Sequence, residues 1–600
     1  MSMSQAAQSQ VSNLSIEPFL PPALPARQTV VKALEAVLGI DRLRESYLSL
    51  PQASDPRSFA RSALDALNVS MEVAAEDLGR IPKQGPCIVV ANHPHGGLDG
   101  LCLVNLLLGV RRDVKILANP FLMGIAQLSE LFLEVDPFGG SQARRFNRQG
   151  VLAALRWLDQ GGMLVMFPAG EVSSLDLSAR EVVDPAWQPG AARLMRRSGA
   201  AVLPVHIGGR NSNLFQLSGL VNAKLRTLLL VRELLRPNRL PIPIRVGRLI
   251  EAAQLTHADG DRSATEYLRF RTYALAQREA QPKQQRRPKA EMDIRPEVAR
   301  HLVASDVSEL SESTRLLTSG KFDVYVCRAD QLPSAMQEIG RLREIAFRAV
   351  GEGTGRASDL DDYDRYYEQI FVWDREEQLI VGGYRVGNAR RIIARHGPRG
   401  MYVNSLFRLS PRLVRQLGEG LELGRSFVRP EYQRSYSPLL LLWKGIAHYV
   451  ARHPEHRCLF GPVSISNEYH PMSQRILVQF LARHYLADGQ RDEVRPRQPL
   501  KGRCPVAVMN ALSQPDSALL DDILREFEAD GKGMPVLLRQ YLKLGGKILG
   551  FNVDPAFSRV IDCLLLVDLR ATSEDVLAKY MDKDSARRYL NGGVVSRHAA

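Results

Sequence analysis

The stretch CIVVANHPHGGLDG, residues 87–100, sets five apolar residues directly before a polar turn that carries two histidines, a glycine pair and an aspartate. A short unbroken apolar run ended by turn residues reads as a buried strand. His93 and Asp99 therefore fall just beyond a strand's carboxyl end, where α/β folds place their sites. Working outward, the apolar runs MLVMF (163–167) and AVLPVHI (201–207) alternate with helical stretches such as Gln149 to Leu158, the pattern of an α/β layer fold. The chemistry available at the turn is proton transfer. A hydroxyl has too high a pKa to attack a carbonyl unaided, and a neutral imidazole at His93 can take its proton as the bond forms. Asp99 would orient the ring and stabilise the imidazolium, the task of the carboxylate in a serine-protease triad. His95 is an alternative base, and Asp99 has the competing reading of a plain helix cap.

The chain has 600 residues, room for three to four domains at about 150 residues each. Hydrophobic residues make up 45% and charged residues 24%, globular values that exclude a largely disordered or fibrous chain. The net charge of +14 points to anionic partners such as phosphates, lipid head groups or acidic carrier proteins. Nucleic acid would answer the same charge, but no recognition motif accompanies it. Six scattered cysteines, without a CxxC pair or zinc spacing, indicate neither a disulfide framework nor a structural metal, and fit a reducing cytoplasm. No run approaches the ~18 apolar residues of a membrane span, and the first residues lack signal-peptide features. Membrane contact is thus expected to be peripheral, with the leucine-rich segment around Lys224, Arg226, Arg232 and Arg236 a candidate for resting on anionic lipid.

The clearest seam is the polar, basic, proline-containing segment 277–300, read as a linker whose charges at Lys283 to Lys289 are solvated. It divides a helical extension (1–71) and a first domain (72–276) from a second domain (301–600). There, strands at FDVYVC, IFVWD, LIVGGYRV and CLFGPV interleave with helices at Pro333 to Phe347 and Leu439 to Ala451. The halves share no repeat, so two different domains are expected.

Three later segments add to the histidine turn: Phe167-Pro168-Ala169-Gly170-Glu171, then Trp187-Gln188-Pro189-Gly190, then Val202-Leu203-Pro204-Val205. In order and spacing they resemble the glycerolipid acyltransferase family, with its His/Asp motif, FPEG-type loop and proline-valine strand. The resemblance spans about Glu72 to Ile250. It implies transfer of an acyl chain from a thioester to a hydroxyl, with His93 and Asp99 catalytic and Phe167, Pro168, Gly170 and Glu171 binding the acceptor. The family spaces His and Asp by four residues where this chain has five, and Gly96-Gly97 can absorb the extra one. Phosphate-handling members carry arginines where this chain has Val172 and Pro137, so a bidentate phosphate clamp is missing unless Arg144, Arg145 or Arg193 replaces it.

In the second half, Glu422-Leu423-Gly424-Arg425 leads through Arg429-Pro430-Glu431-Tyr432 into the helix from Leu439, a strand, turn and helix start that suit an anionic phosphopantetheine arm. With Arg343, the acidic run Asp361, Asp362 and Asp364, and Arg385, the order resembles acyl-homoserine-lactone synthases and ornithine N-acyltransferases of the GNAT fold. The ELxR-type block falls on Glu422 and Arg425. An α-ammonium must shed a proton before it can attack, and Glu422 could accept it directly or through a water; the acidic run could pair with a second ammonium, with a solvated acidic loop as the alternative. Gln433 to Pro438 lacks the glycines of a GNAT pyrophosphate loop, which favours acyl carrier protein over coenzyme A as donor.

Together the halves resemble bifunctional ornithine-lipid synthases, an α/β chain of two different acyltransferase domains: a glycerolipid acyltransferase-type domain and a GNAT-like, acyl-homoserine-lactone-synthase-like domain. The implied chemistry is N-acylation of ornithine with a 3-hydroxyacyl chain, then O-acylation of the lyso-ornithine lipid on that chain's 3-hydroxyl. Acyl carrier protein is the implied partner and no tightly bound cofactor or metal is expected. The place would be the inner face of the cytoplasmic membrane. Glycine, lysine or glutamine would need a similar α-amine site, and a lysophosphatidate acyltransferase or a membrane-lytic protein are the rival readings.

Overall fold

The protein is described from a computed structural model, over residues 27–50, 55–118, 125–135, 141–176, 181–221, 223–236, 240–255, 260–278, 291–435, 437–487, 489, 492–502, 504, 512–528 and 530–592. The chain packs as two compact units, most of the first before Pro282 and most of the second after it.

The first unit is built on strands β1 (Met71–Val73), β2 (Cys87–Ala91), β3 (Val114–Ala118), β4 (Phe132–Glu134), β5 (Met163–Met166), β8 (Ala201–Ile207) and β9 (Ile242–Val246), with β6 (Ser174–Asp176) and β7 (Glu181–Val183) forming a separate hairpin. The sheet order is β1-β9-β8-β2-β5-β3-β4, parallel except where β8 meets β9. β2 lies centrally between β8 and β5 and is buried throughout, which is why its sequence is continuously apolar rather than alternating. The helix Pro56–Ala66, at the end of the expected extension, starts where Asp55 accepts the N–H groups of Arg57 and Ser58 and Pro56 opens the first turn. Its Phe59, Ala60 and Leu64 are part of the same core as Leu103, Leu107 and the strands, so this helix belongs to the first unit's body.

The second unit carries β10 (Arg315–Ser319), β11 (Phe322–Arg328), β12 (Glu368–Asp374), β13 (Leu379–Asn388), β15 (Gly420–Val428), β16 (Cys458–Ile465), β18 (Lys547–Asp554) and β19 (Val560–Asp568), besides the small pair β14 (Phe407–Leu409) and β17 (Val494–Pro496). The order is β10-β11-β12-β13-β15-β16-β19-β18. All neighbours are antiparallel except β15 and β16, which run parallel and pair only from Gly420–Glu422 to Cys458–Phe460. Phe371 and Trp373 pack with the helix Pro333–Arg348, whereas Ile370 on the opposite face lies against Gly445 of the helix Ser437–Arg452. Helices on both faces explain the unbroken apolar run of β12. Lys283 to Lys289 of the expected linker lie outside the described residues. Residues 291–298 are tied to the second unit, with Met292 N donating to Gly355 O, Arg295 N to Ala357 O and Val298 N to the Glu338 carboxylate.

Candidate active sites

Beyond β2, Asn92 fastens the turn to β8: its Nδ2 donates to Ile207 O at 2.8 Å and its Oδ1 accepts from Ile207 N at 2.7 Å. His93 Nδ1 then lies 2.9 Å from Asp99 Oδ2, and the same oxygen accepts the backbone N–H groups of His95 and Gly96 at 2.9 and 3.0 Å. Gly96 turns the chain at φ +78°, a conformation open to glycine, and so accommodates the extra residue between His93 and Asp99. Asp99 sits in the first turn of the helix Gly97–Leu107 and is therefore cap and histidine partner at once. The His95 ring turns away, with Nε2 3.0 Å from Gly208 O. A carboxylate at Nδ1 keeps the proton there and the lone pair on Nε2, the state a general base needs. The His93 side chain is 19% exposed while Asp99 is fully buried, so the base can be reached and its partner cannot.

The Phe167 ring stacks on His93 with centroids 4.1 Å apart, bringing the 167–171 loop against the imidazole. Pro168 O accepts from Gln188 N, and Gly170, at φ +70°, closes the turn by donating to Phe167 O. Glu171 points to solvent and pairs with Arg226 at 2.9 Å. Arg226 is thus bound to this loop, whereas Arg232 and Arg236 are exposed and the Lys224 side chain lies outside the described residues. Arg193 pairs with Asp261 at the surface. Pro137 and the side chains of Arg144 and Arg145 fall outside the described residues.

One buried organiser had no sequence signal beyond a turn-rich context. Asp184 accepts from His93 N at 3.1 Å, from Ser173 Oγ, and from Trp187 Nε1 at 2.8 Å, while Ser173 N donates to His93 O at 2.8 Å. The histidine's backbone is thereby fixed from both sides.

In the second unit the site gathers where β15 and β16 part. After Glu422 and Phe460, β15 stays with β13 and β16 with β19, so the two parallel strands have no paired residues beyond that point. Opposite Tyr384, β15 carries the extra residue of a bulge, and Arg425 there takes φ +52°, strained for a non-glycine residue. The Arg425 Nε is 3.0 Å from Asp359, its Nη2 3.3 Å from Asp361 and its Nη1 3.3 Å from the Tyr402 hydroxyl. Burial opposes the charge, but these carboxylates raise the guanidinium's pKa and keep it protonated. Arg385 contacts Asp361 at 2.5 Å, 3.5 Å from Asp364, among the rings of Tyr363, Tyr367 and Tyr402. Arg343 donates to Asp364 and to Gln369. Burial would raise the Asp364 pKa, yet Arg343 and Arg385 hold it well below the usual carboxylate range.

Two sequence expectations change here. Asp361 and Asp364 are committed to buried arginines, and Asp362 is exposed and paired with Arg365 at 3.4 Å, so the acidic run does not face a second ammonium. Glu422 is buried with both oxygens occupied: Tyr367 OH donates at 2.5 Å and Tyr402 N at 3.2 Å to one, and Val403 N at 2.6 Å to the other. Burial raises its pKa and raises that of Tyr367 well above normal.

Two known families match the chain: "Acyltransferase" over residues 40–280 and "Acetyltransferase (GNAT) domain" over 342–444. The first match takes in the helices Ile40–Leu48 and Pro56–Ala66 before β1. Glycine N(alpha)-acyltransferase of Phocaeicola vulgatus is 31% identical over 46% of this chain and 89% of its own. L-ornithine N(alpha)-acyltransferase of Rhodobacter capsulatus is 32% identical over 40% and 88%. Lyso-glycine lipid O-acyltransferase of Bacteroides thetaiotaomicron is 33% identical over 26% and 55%. With an Acyltransferase domain followed by a GNAT domain related to those of the N(alpha)-acyltransferases, this chain belongs to their family and is a two-domain acyltransferase.

Proposed function

We propose that the protein makes an aminolipid in two steps, N-acylating L-ornithine with a 3-hydroxyacyl chain from acyl carrier protein and then O-acylating the lyso lipid's 3-hydroxyl. In the first step the neutral α-amine attacks the thioester carbonyl, the C–N bond forms and the C–S bond breaks, and the thiol of the phosphopantetheine arm leaves. The parted edges of β15 and β16 offer unpaired backbone groups for an extended arm. Arg425 and Glu422 flank this split, and Arg343, Asp361, Asp364 and Arg385 form the charged frame behind it.

In the second step His93 Nε2 takes the hydroxyl proton as the oxygen attacks a second thioester; the C–O bond forms, the C–S bond breaks, and the imidazolium, stabilised by Asp99, gives its proton to the leaving thiolate. The Phe167 to Glu171 loop holds the acceptor beside the ring. The observation that carries this step is the 2.9 Å His93–Asp99 contact at the end of the central strand. Among the described residues no helix is long and apolar enough to cross a membrane. The lipid product would be released through peripheral contact with an anionic bilayer, with the exposed Arg232 and Arg236 near the membrane. Glycine is the second reading for the acceptor, favoured by the names of two relatives. Expression in a host without aminolipids, followed by mass spectrometry, tests both. A diacylated lipid with an ornithine fragment is the expected result, a glycine fragment would transfer the reading to glycine, and no new amino-acid lipid would refute it.

A further inference from the structure

The second unit neutralises its buried carboxylates with care: Asp364 meets Arg343, Asp359 meets Arg425, Glu338 meets Arg341 and Asp521 meets Arg539. Among the described residues Glu422 has no ion pair but is filled by Tyr367 and two backbone N–H groups, and a further cluster lacks both an ion pair and such a set of donors. Glu352, Asp554 and Asp562 are 9%, 5% and 6% exposed, and among the described residues none forms an ion pair. The strand register brings them together. Asp562 on β19 lies opposite Asn552 of β18 and opposite Ser464 of β16. Asp554, two residues on from Asn552, shares that face and is a diagonal neighbour. Glu352 accepts from Ser464 Oγ at 2.7 Å. Asp562 Oδ2 is buried and has no hydrogen-bond partner among the described residues.

Burial, reinforced by the neighbouring carboxylates, pushes Asp562 well above the ordinary range, and burial raises Glu352 to about 7. Arg425 exerts an opposing pull on Asp562, and both aspartates act on Tyr402, so the group borders the parted strands. Buried negative charge without a counter-ion is costly. Among the described residues no set of His, Cys, Asp and Glu is arranged to hold a metal ion. An ammonium, with three donors that can reach separated carboxylates, fits better.

We infer that Glu352, Asp554 and Asp562 receive the side-chain ammonium of a diamino-acid acceptor. The α-amine is excluded because it must lose its proton to attack, and three carboxylates would hold it charged. The inference rests on the N-acylation reading and assigns the selection of ornithine-class acceptors over glycine to Glu352 with two residues of the distant strands β18 and β19, instead of the acidic run at 361–364.

The purified full chain is given 3-hydroxyacyl carrier protein with L-ornithine or with L-norleucine, which replaces the terminal ammonium by a methyl group. Binding of each amino acid without thioester is measured by calorimetry. The expected kcat/KM preference for ornithine is about 10²-fold, the scale of a charge-assisted hydrogen bond in a dry site. Asp562→Asn and Glu352→Gln should each reduce that ratio at least about tenfold and weaken ornithine binding. Glu352→Gln carries the test should Asp562→Asn fail to fold. Ornithine acylated without preference over norleucine, or a ratio unmoved in the folded variants, overturns the inference while N-acylation stands. Carboxylate-dependent ornithine binding with no acyl transfer to any amino acid overturns the N-acylation reading and retains the ammonium site.

Discussion

Removing the His93 imidazole is the sharpest perturbation of the first unit, because its contacts separate chemistry from folding. The ring is held by one hydrogen bond to Asp99 and by stacking on Phe167, while the backbone around it is secured independently by Asp184 and Ser173. His93→Ala should therefore fold and lose about 10²–10⁴-fold of O-acylation, the contribution of a positioned general base. Asp99→Asn keeps an oxygen for the backbone donors of His95 and Gly96 but removes the charge opposite the imidazolium. One charge-assisted hydrogen bond, at about 1.5–3 kcal/mol, corresponds to roughly 10–150-fold in rate. The new amide NH2 would also occupy the buried position of Asp99 Oδ1, which has no partner among the described residues, at a stability cost of about 1–3 kcal/mol. His95→Ala loses only the bond to Gly208 O and should retain most O-acylation. Each variant is expressed in a host without aminolipids, and mono- and diacylated lipids are resolved by mass, with protein amount checked by blot. His93→Ala and Asp99→Asn should accumulate the monoacylated lipid. Near-normal diacylated lipid from His93→Ala, with loss in His95→Ala, would refute the reasoning and make His95 the base.

Three further outcomes follow from the second unit and its donor. Glu422→Gln replaces an acceptor of three donors by an amide that must turn an NH2 toward one of them. It should abolish N-acylation and lower the unit's stability by about 1–3 kcal/mol in chemical denaturation, and unchanged values for both would contradict the contacts seen. Glu352 has a folded pKa near 7 against 4.5 unfolded, so its contribution to stability is complete below about pH 4.5 and lost as pH rises through 7. Glu352→Gln, which can still accept from Ser464, should thus be about 2–3 kcal/mol more stable than the parent at pH 8 and no more stable at pH 4.5, measured by urea denaturation at both values. Acyl carrier protein thioester should be used faster than the coenzyme A thioester of the same chain, since Gln433 to Pro438 carry no glycine-rich pyrophosphate loop; equal rates would count against the carrier protein as donor.

Local sequence was sufficient for the main strands and for the pairing of His93 with Asp99. The runs at 87–91, 163–166 and 370–373 are continuously apolar because their strands are covered on both faces, and the His93–Asp99 pair lies within one turn, where a glycine at positive φ settles the geometry. Glu422 and Arg425 could be found by spacing, but not their partners. A bulge opposite Tyr384 sends Arg425 to Asp359, Asp361 and Tyr402, and a bulge is a property of strand register rather than of the two residues between them. The same holds for Asp361, Asp362 and Asp364, alike in sequence, of which two are drawn in by buried arginines and one stays in water. Only tertiary structure could bring Asp184 to His93, or assemble Glu352, Asp554 and Asp562 from segments some 200 residues apart, because contacts that distant depend on which strands pair and with what offset.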